Sequence, residues 1–471
     1  MKISARKFIE TAVGGLFCLV YALTLITLLK TTNTESFENG SVISALCVLT
    51  FAVIYLSKKQ EGFWNPSILF LLSFYLFQNG QLLLRALGVD FNQFYINTLS
   101  RLLPEVCVFS SISTVIACYS AIITANNTKV DVERIDYADC LDKHALENVV
   151  WIAVVLTGII AIPLVLIKSI YALSGGYRAV RNLEGYIPSV INFVEYMFMP
   201  FSILFQVYSK STKAKISFII TFVWLILTAL CGDRTTGIAG LFILLYVRNS
   251  VGEMSPRQKR KMYIRLAILA VILIVFVRVA YVVRTQSDFS SLFSGSNFLV
   301  SFIEDIGFSC FPLFTMMSVV PSSEPFLHGS GYFLSLIGGM IPSFIDPTGT
   351  IAAINRQSRI FETWQGQYFG QYSFGFGFSL NAEAYINFGW WGLFAIFAIC
   401  LFVFSKLKFS SFKQNKSGWQ LYRTCILLFL WFTLPRRDSY YIWKALVYSI
   451  FLVKVYLKLF CKKMDRDLLL K

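Results

Sequence analysis

Long apolar runs recur from one end of the chain to the other, separated by short polar stretches. A helix needs about 20 apolar residues to cross the hydrocarbon of a bilayer. The runs predict spans at about 8–29, 41–57, 66–87, 105–124, 149–173, 187–208, 216–231, 235–247, 263–283, 386–404, 420–434 and 440–460. Two further apolar pieces, around 296–320 and 331–345, must both insert or both stay out, or the basic loops after them would invert. Residues 284–385 therefore read as one long outward-facing loop carrying short or re-entrant helices. The expected fold is an all-α polytopic integral membrane protein with about 12 transmembrane helices, up to 14 with both pieces inserted. Residues 1–471 form a single membrane domain in this reading. The first run follows MKISARK, is too long for a signal peptide and has no small-residue cleavage site, so it reads as an uncleaved span. No repeat relates the two halves, which argues mildly against a transporter.

Charge orients these spans. With Lys2, Arg6 and Lys7 in the cytoplasm, every second loop is basic: Lys58 and Lys59, then Lys210, Lys213 and Lys215, then residues 248–265 and 406–416, then the tail. Both termini then lie inside; the mildly acidic stretch 125–148 is placed inside by its neighbours. Of 471 residues, 56% are hydrophobic and only 14% are charged, where a soluble chain carries roughly a quarter. The net charge of +16 follows the basic loops. Nothing interleaves basic and aromatic residues on a polar surface, so nucleic acid is not the partner. The ten cysteines lie mostly inside apolar runs with no CxxC or Cys/His spacing, and read as small buried hydrophobes. No metal site or cofactor is expected.

Against this orientation the outward positions are rich in arginine: Arg85, Arg101, Arg178, Arg181, Arg234, Arg278, Arg284, Arg356, Arg359, Arg436 and Arg437. Lysine is almost missing there. A topology signal would use either residue, whereas the planar guanidinium binds phosphate with two parallel hydrogen bonds. Each arginine alone could instead snorkel to the interface or pair with Asp233 or Asp438. Gln78, Gln81 and Arg85 share one helical face. In LCGDRTTGIAG (residues 230–240), the flanking runs 216–231 and 234–247 would be about 24 and 21 Å as helices, short of the roughly 30 Å of hydrocarbon. The Asp233–Arg234 turn is then expected below the headgroups, lining a polar cavity, with Gly232 and Gly237 permitting it. Arg436, Arg437 and Asp438 form a similar turn and the expected opposite wall. An anion held at the outer boundary of a membrane is most simply a lipid phosphate or diphosphate. The aromatic and amide-rich stretch 362–392 suits carbohydrate, since ring faces stack on sugars and amides bond hydroxyls.

The multi-spanning organisation, the "GDR" cluster, the large outward loop and NAEAYINFGWWG (residues 381–392) together resemble the O-antigen polymerases of the Wzy type. The resemblance extends over the whole chain in architecture, and its most specific part is the last motif. It implies a GT-C-like, metal-independent glycosyltransferase of the bacterial inner membrane. Such an enzyme transfers the growing glycan from undecaprenyl diphosphate to the next lipid-linked repeat unit at the periplasmic face, in O-antigen or capsule biosynthesis, beside a chain-length regulator. In that reaction Arg234 and Arg437, then Arg436, Arg278, Arg284 and Arg85, would stabilise the leaving diphosphate. Asp233 would orient Arg234, and Arg178 and Arg181 would hold a second diphosphate or an acidic sugar. For the base, His328, Glu383, Asp346 and Glu362 are the outward candidates; His328 and Glu383 lead, the former by analogy with the histidine of O-antigen ligases. An O-antigen ligase and a polysaccharide flippase are the competing readings, and a flippase leaves the long outward loop unexplained.

Deleting the chain from its host should leave lipopolysaccharide core bearing one repeat unit and no ladder on a gel; core alone would indicate a ligase or flippase. Arg234→Ala should reproduce the single-repeat pattern at normal protein level, with poor rescue by Arg234→Lys. A full ladder from Arg234→Ala would remove that residue from the site.

Overall fold

The computed structural model describes residues 5–32, 34–59, 65–126, 143–250, 264, 298–342, 345–346, 348–371, 377–407 and 418–461. Among them there is no β-strand. The N-terminal helices are α1 (Ala5–Thr31), α2 (Glu35–Lys59), α3 (Pro66–Ala86), the short α4 (Phe94–Thr98) and α5 (Leu103–Asn126). Next come α6 (Lys143–Tyr186), α7 (Ser189–Tyr208), α8 (Thr212–Leu230) and α9 (Arg234–Ser250). The region read as an outward loop holds α10 (Phe298–Gly307), α11 (Phe311–Val319), α12 (Ser330–Met340), α13 (Thr350–Ser358) and α14 (Ile360–Phe369). The chain ends with α15 (Leu380–Phe388), α16 (Gly392–Leu407), α17 (Gly418–Thr433), α18 (Ser439–Leu446) and α19 (Val453–Phe460).

Among the described residues, nine helical stretches are long and apolar enough to cross a membrane. The chain is therefore a multi-pass membrane protein. The first seven predicted spans each fall on one of these stretches, and 386–404 lies within an eighth, Leu380–Leu407. The ninth is Leu299–Val319, inside the predicted outward loop. Residues 235–247 form a shorter apolar helix, Thr235–Arg248, and 420–434 fall on the 16-residue α17. Run 440–460 becomes α18 and α19 joined through a wider helical turn at Val447–Leu452. The predicted span 263–283 lies, but for Ile264, outside the described residues.

The chain divides into two compact units. The first comprises Met1–Asp131, Ile303–Ser411 and Leu434–Lys444. The second comprises Val132–Phe302, Phe412–Thr433 and Ala445–Lys471.

In the first unit α3 starts where its sequence dictates. Asn65 Oδ1 accepts from the Ser67 amide at 2.8 Å, and Pro66 takes the first turn, where a missing N–H is harmless. Both α3 and α5 are buried along most of their length, so their polar residues face protein and not lipid. Phe70 meets Phe404 edge-on at 5.3 Å and Phe109 meets Tyr385 at 5.9 Å. The backbones of α3 and α10 touch directly: a Cβ built on Gly80 would lie 2.9 Å from Gly307 Cα. Gln81 Nε2 donates to the Glu304 carbonyl across the same contact at 3.0 Å.

In the second unit Lys168 and Glu184 lie 16 residues apart within α6, about 24 Å along a straight helix, yet their charged groups are 3.9 Å apart. The chain therefore doubles back at Gly175–Gly176, where Gly176 has φ +63. Helices α8 and α9 are joined by a turn at Gly232, φ +109. Gly237 has a different role from the one expected: it sits inside α9, and its Cβ would lie 2.6 Å from the Leu225 carbonyl of α8. It permits close packing of the two helices. The 19 residues of α8 give about 28 Å, so its length no longer requires a turn well below the headgroups.

Gly307→Val should disrupt the α3–α10 contact and lower the thermal stability of the purified protein by about 1–3 kcal/mol or more, as overpacking does. Gly366→Ala, where nothing lies within 4 Å of the new Cβ, should be neutral or gain up to about 1 kcal/mol of helix preference. Equal melting of Gly307→Val and the wild type would refute the close contact.

Candidate functional site

The first unit gathers its chemistry around residues 434–444. Glu383, in the first turn of α15, is only 3% exposed. A carboxylate in such surroundings needs donors, and Ser439 supplies two. Its amide donates to Oε2 at 2.9 Å and its hydroxyl to Oε1 at 2.6 Å. Because Ser439 opens α18, Glu383 satisfies an orphan N–H at the positive end of that helix. The turn before it is held by Gln78, whose Nε2 donates to the Pro435 carbonyl at 2.5 Å. On the other side Gly339 of α12 lies against the backbone of α18, where its Cβ would be 2.8 Å from the Tyr440 carbonyl. Three elements distant in sequence thus fix one short turn.

That turn carries Arg436 and Arg437, both half-buried, and Asp438, which is buried. Arg359, between α13 and α14, joins them. Its Nη2 lies 2.5 Å from Glu362 Oε1 and its Nε 3.4 Å from Asp438 Oδ2. Its guanidinium sits 5.2 Å from the centre of the Tyr441 ring, and the Arg437 guanidinium sits 4.9 Å from the same ring. Burial pushes the Asp438 carboxyl above its ordinary range, and Arg359 pulls it partly back. The result is a group of cations at one turn with two carboxylates, Glu362 and Asp438, among them. Such a group favours a multiply charged anion.

The other sequence-selected residues are placed as follows. His328 is exposed, adopts φ +49, and donates its backbone N–H to the Asn387 carbonyl at the end of α15 at 2.9 Å. Its ring lies 6.4 Å from that of Phe326. Asp346 accepts from the Ile351 amide at 2.6 Å and from the Thr348 hydroxyl at 2.6 Å; that hydroxyl holds its carboxyl below the ordinary range. Glu362 pairs with Arg359. Arg85 faces Glu38 at 3.7 Å and Glu35 at 3.9 Å, so the carboxylates of α2 engage it.

In the second unit Arg178 is exposed on the doubled-back segment of α6. Arg181 pairs with Glu184 at 3.2 Å, while buried Lys168 reaches Glu195 at 2.7 Å. Asp233 Oδ1 accepts from the Thr236 amide at 3.1 Å and so caps α9, whose first residue is Arg234. Arg278 and Arg284 lie outside the described residues. Pairing with Asp438 was one alternative for the outward arginines, but the sequence did not single out Arg359 for it, and the two hydrogen bonds from Ser439 to Glu383 were missed in the sequence. The only available signal was a second arginine beside Arg356 and a carboxylate inside an apolar run.

The family model of the O-antigen polysaccharide polymerase Wzy matches residues 15–465. The chain belongs to this family. No protein of curated function and no solved structure matches it. As a Wzy-family protein it serves O-antigen repeat-unit polymerisation, a glycosyltransferase-type activity on lipid-linked oligosaccharides in a membrane. The motif NAEAYINFGWWG takes a definite form here: α15, a turn at Gly389 with φ +57, and the start of α16. Glu383 thereby falls inside a candidate span, in the first turn of its helix.

Glu383→Ala should leave both Ser439 donors without their acceptor and destabilise the purified protein by about 1–2 kcal/mol, the size of a lost helix cap. Glu383→Gln, which keeps one acceptor oxygen, should melt close to wild type. Equal losses in the two variants would show that the cap does not depend on an acceptor at this position.

Proposed function

We propose that this Wzy-family chain transfers the growing glycan from undecaprenyl diphosphate onto the next undecaprenyl-diphosphate-linked repeat unit. The reaction takes place at the periplasmic face of the bacterial inner membrane, in a GT-C-like architecture with both termini in the cytoplasm. The observation that carries this reading is the cationic turn, with the Arg359 and Arg437 guanidiniums against one tyrosine ring and Arg436 next to Arg437 in the chain.

In the reaction a hydroxyl of the acceptor sugar attacks the anomeric carbon of the donor. A new glycosidic C–O bond forms, the bond to the phosphate oxygen breaks, and undecaprenyl diphosphate leaves with the electron pair. Negative charge grows on the departing oxygen, and Arg436 and Arg437 meet it as fixed positive charge, without recourse to a metal ion. The acceptor proton goes to His328. Of the four candidate bases, Glu383 is occupied by Ser439, Asp346 by the start of α13 and Glu362 by Arg359. The His328 ring is exposed, and its backbone is anchored to the helix that carries Glu383. Glu383 then serves to position the turn and not to take the proton. A chain-length regulator completes the system as a protein partner.

His328→Ala should lower kcat by about a hundredfold, the ordinary share of a general base, with little change in KM for the lipid-linked repeat unit. Arg437→Ala should give core plus one repeat on a lipopolysaccharide gel at normal protein level. A ladder of normal length from Arg437→Ala would overturn the diphosphate assignment, and wild-type kcat in His328→Ala would overturn the base.

A further inference from the structure

A general base must meet its proton at a set distance and angle, and a small misplacement costs much of its effect. The usual device for histidine is a hydrogen bond from the second ring nitrogen to a carboxylate or a carbonyl. Among the described residues the His328 imidazole has no such partner. Its backbone N–H goes to Asn387, and its ring meets one other, that of Phe326. The two planes stand at 63° with the ring centres 6.4 Å apart, an edge-on arrangement. Phe326 is itself held by the NAEAYINFGWWG motif. Tyr385 of α15 meets it edge-on at 6.1 Å, and Tyr385 is buried, 5.9 Å from Phe109 of α5. Gly389 leaves room for it: a Cβ there would stand 3.0 Å from Phe326 Cζ. Between the two rings Leu327 donates its N–H to the Ile386 carbonyl at 2.9 Å, alongside the bond from His328 to Asn387. His328, at φ +49, is the one non-glycine residue at positive φ among the described residues. Such a conformation persists where its surroundings impose it. The end of α15 thus fixes the backbone, and a ring seated on the same helix is what constrains the imidazole.

We propose that Phe326 is a positioning residue for glycosyl transfer: its ring, seated on Tyr385 and Gly389, holds the His328 imidazole in the orientation that receives the acceptor proton. The inference rests on the assignment of His328 as the base. Phe326 acts through the imidazole and needs no contact with the sugar. The proposal also accounts for glycine at 389, since a side chain there would displace the ring that orients the base.

The test uses the full-length protein in lipid nanodiscs, with the lipid-linked repeat unit as substrate. Phe326→Leu, which keeps apolar bulk but not the ring, should lower kcat about tenfold, the scale of one aromatic pair. KM should stay within about twofold of wild type. In a His328→Ala background the same substitution should change kcat by less than about twofold, because residues that act as a unit are not additive. A role confined to packing of the loop would cost the same factor in both backgrounds and overturn the proposal. Wild-type kcat in Phe326→Leu would overturn it as well, whether or not KM rises; a raised KM would make Phe326 a sugar contact instead. If His328→Ala alone retains wild-type kcat, the base assignment fails and the proposal with it. If His328→Ala lowers kcat and Phe326→Leu lowers it about tenfold further, the positioning role fails and the base stands. Should Phe326→Leu not fold, Phe326→Met gives the same comparison between the two backgrounds with a longer, unbranched side chain.

Discussion

A carboxylate that cannot reach water must find donors inside the protein, and in this chain that requirement organises the first unit. Glu383 lies within an apolar helical stretch and takes both its hydrogen bonds from Ser439, 56 positions away. The bond to the Ser439 amide also uses a backbone donor that a helix start leaves open. One side chain therefore fixes where α18 begins, and with it the direction of the preceding arginines. Gln78 and Gly339 act on the same turn from other sides. Had the turn been held by its own loop alone, the arginines would keep the freedom that long cationic side chains have at a surface.

The interior of this unit is more polar than its hydropathy suggests. Asn79 donates to the Ser110 carbonyl at 3.5 Å and to the Thr114 hydroxyl at 3.0 Å, while Asn381 donates to the Ser113 hydroxyl at 3.0 Å. Both hydroxyls spend their protons on the Ser110 carbonyl, at 3.0 and 2.9 Å. Those bonds set the orientation of both amides, because a hydroxyl that has donated must accept. A network of this kind specifies which helices meet in an environment where apolar surface alone gives little preference. It ties α3, α5 and α15 together next to the turn at residues 434–438.

The spans were legible because hydrocarbon imposes a minimum length of apolar sequence, and seven consecutive runs became helices at the expected places. The breaks were harder to read. The run predicted at 386–404 is preceded by helix from Leu380, whose polar residues Asn381, Glu383 and Asn387 are satisfied within the protein, and it is interrupted by the turn at Gly389 between α15 and α16. Gly237 looked like part of a turn because glycine serves both turns and close helix contacts, and only the neighbouring backbone distinguishes them. Arginine enrichment drew attention to the right chemistry but could not sort its members. Arg85 has its own carboxylates on α2, and Arg359 reaches a carboxylate 79 positions away; no local pattern records either pairing.

The reversal at Gly175–Gly176 has a consequence for how the chain fits its surroundings. The 44 residues of α6 would make a rod of about 66 Å if they ran straight, more than twice the roughly 30 Å of hydrocarbon. Folding the last part back turns that excess length into a stub alongside its parent helix, with Lys168, Glu184 and Glu195 as the rivet. The two glycines thus work as a measuring mark: they decide how much of this helix is a mast and how much is a bracket for Arg178 and Arg181.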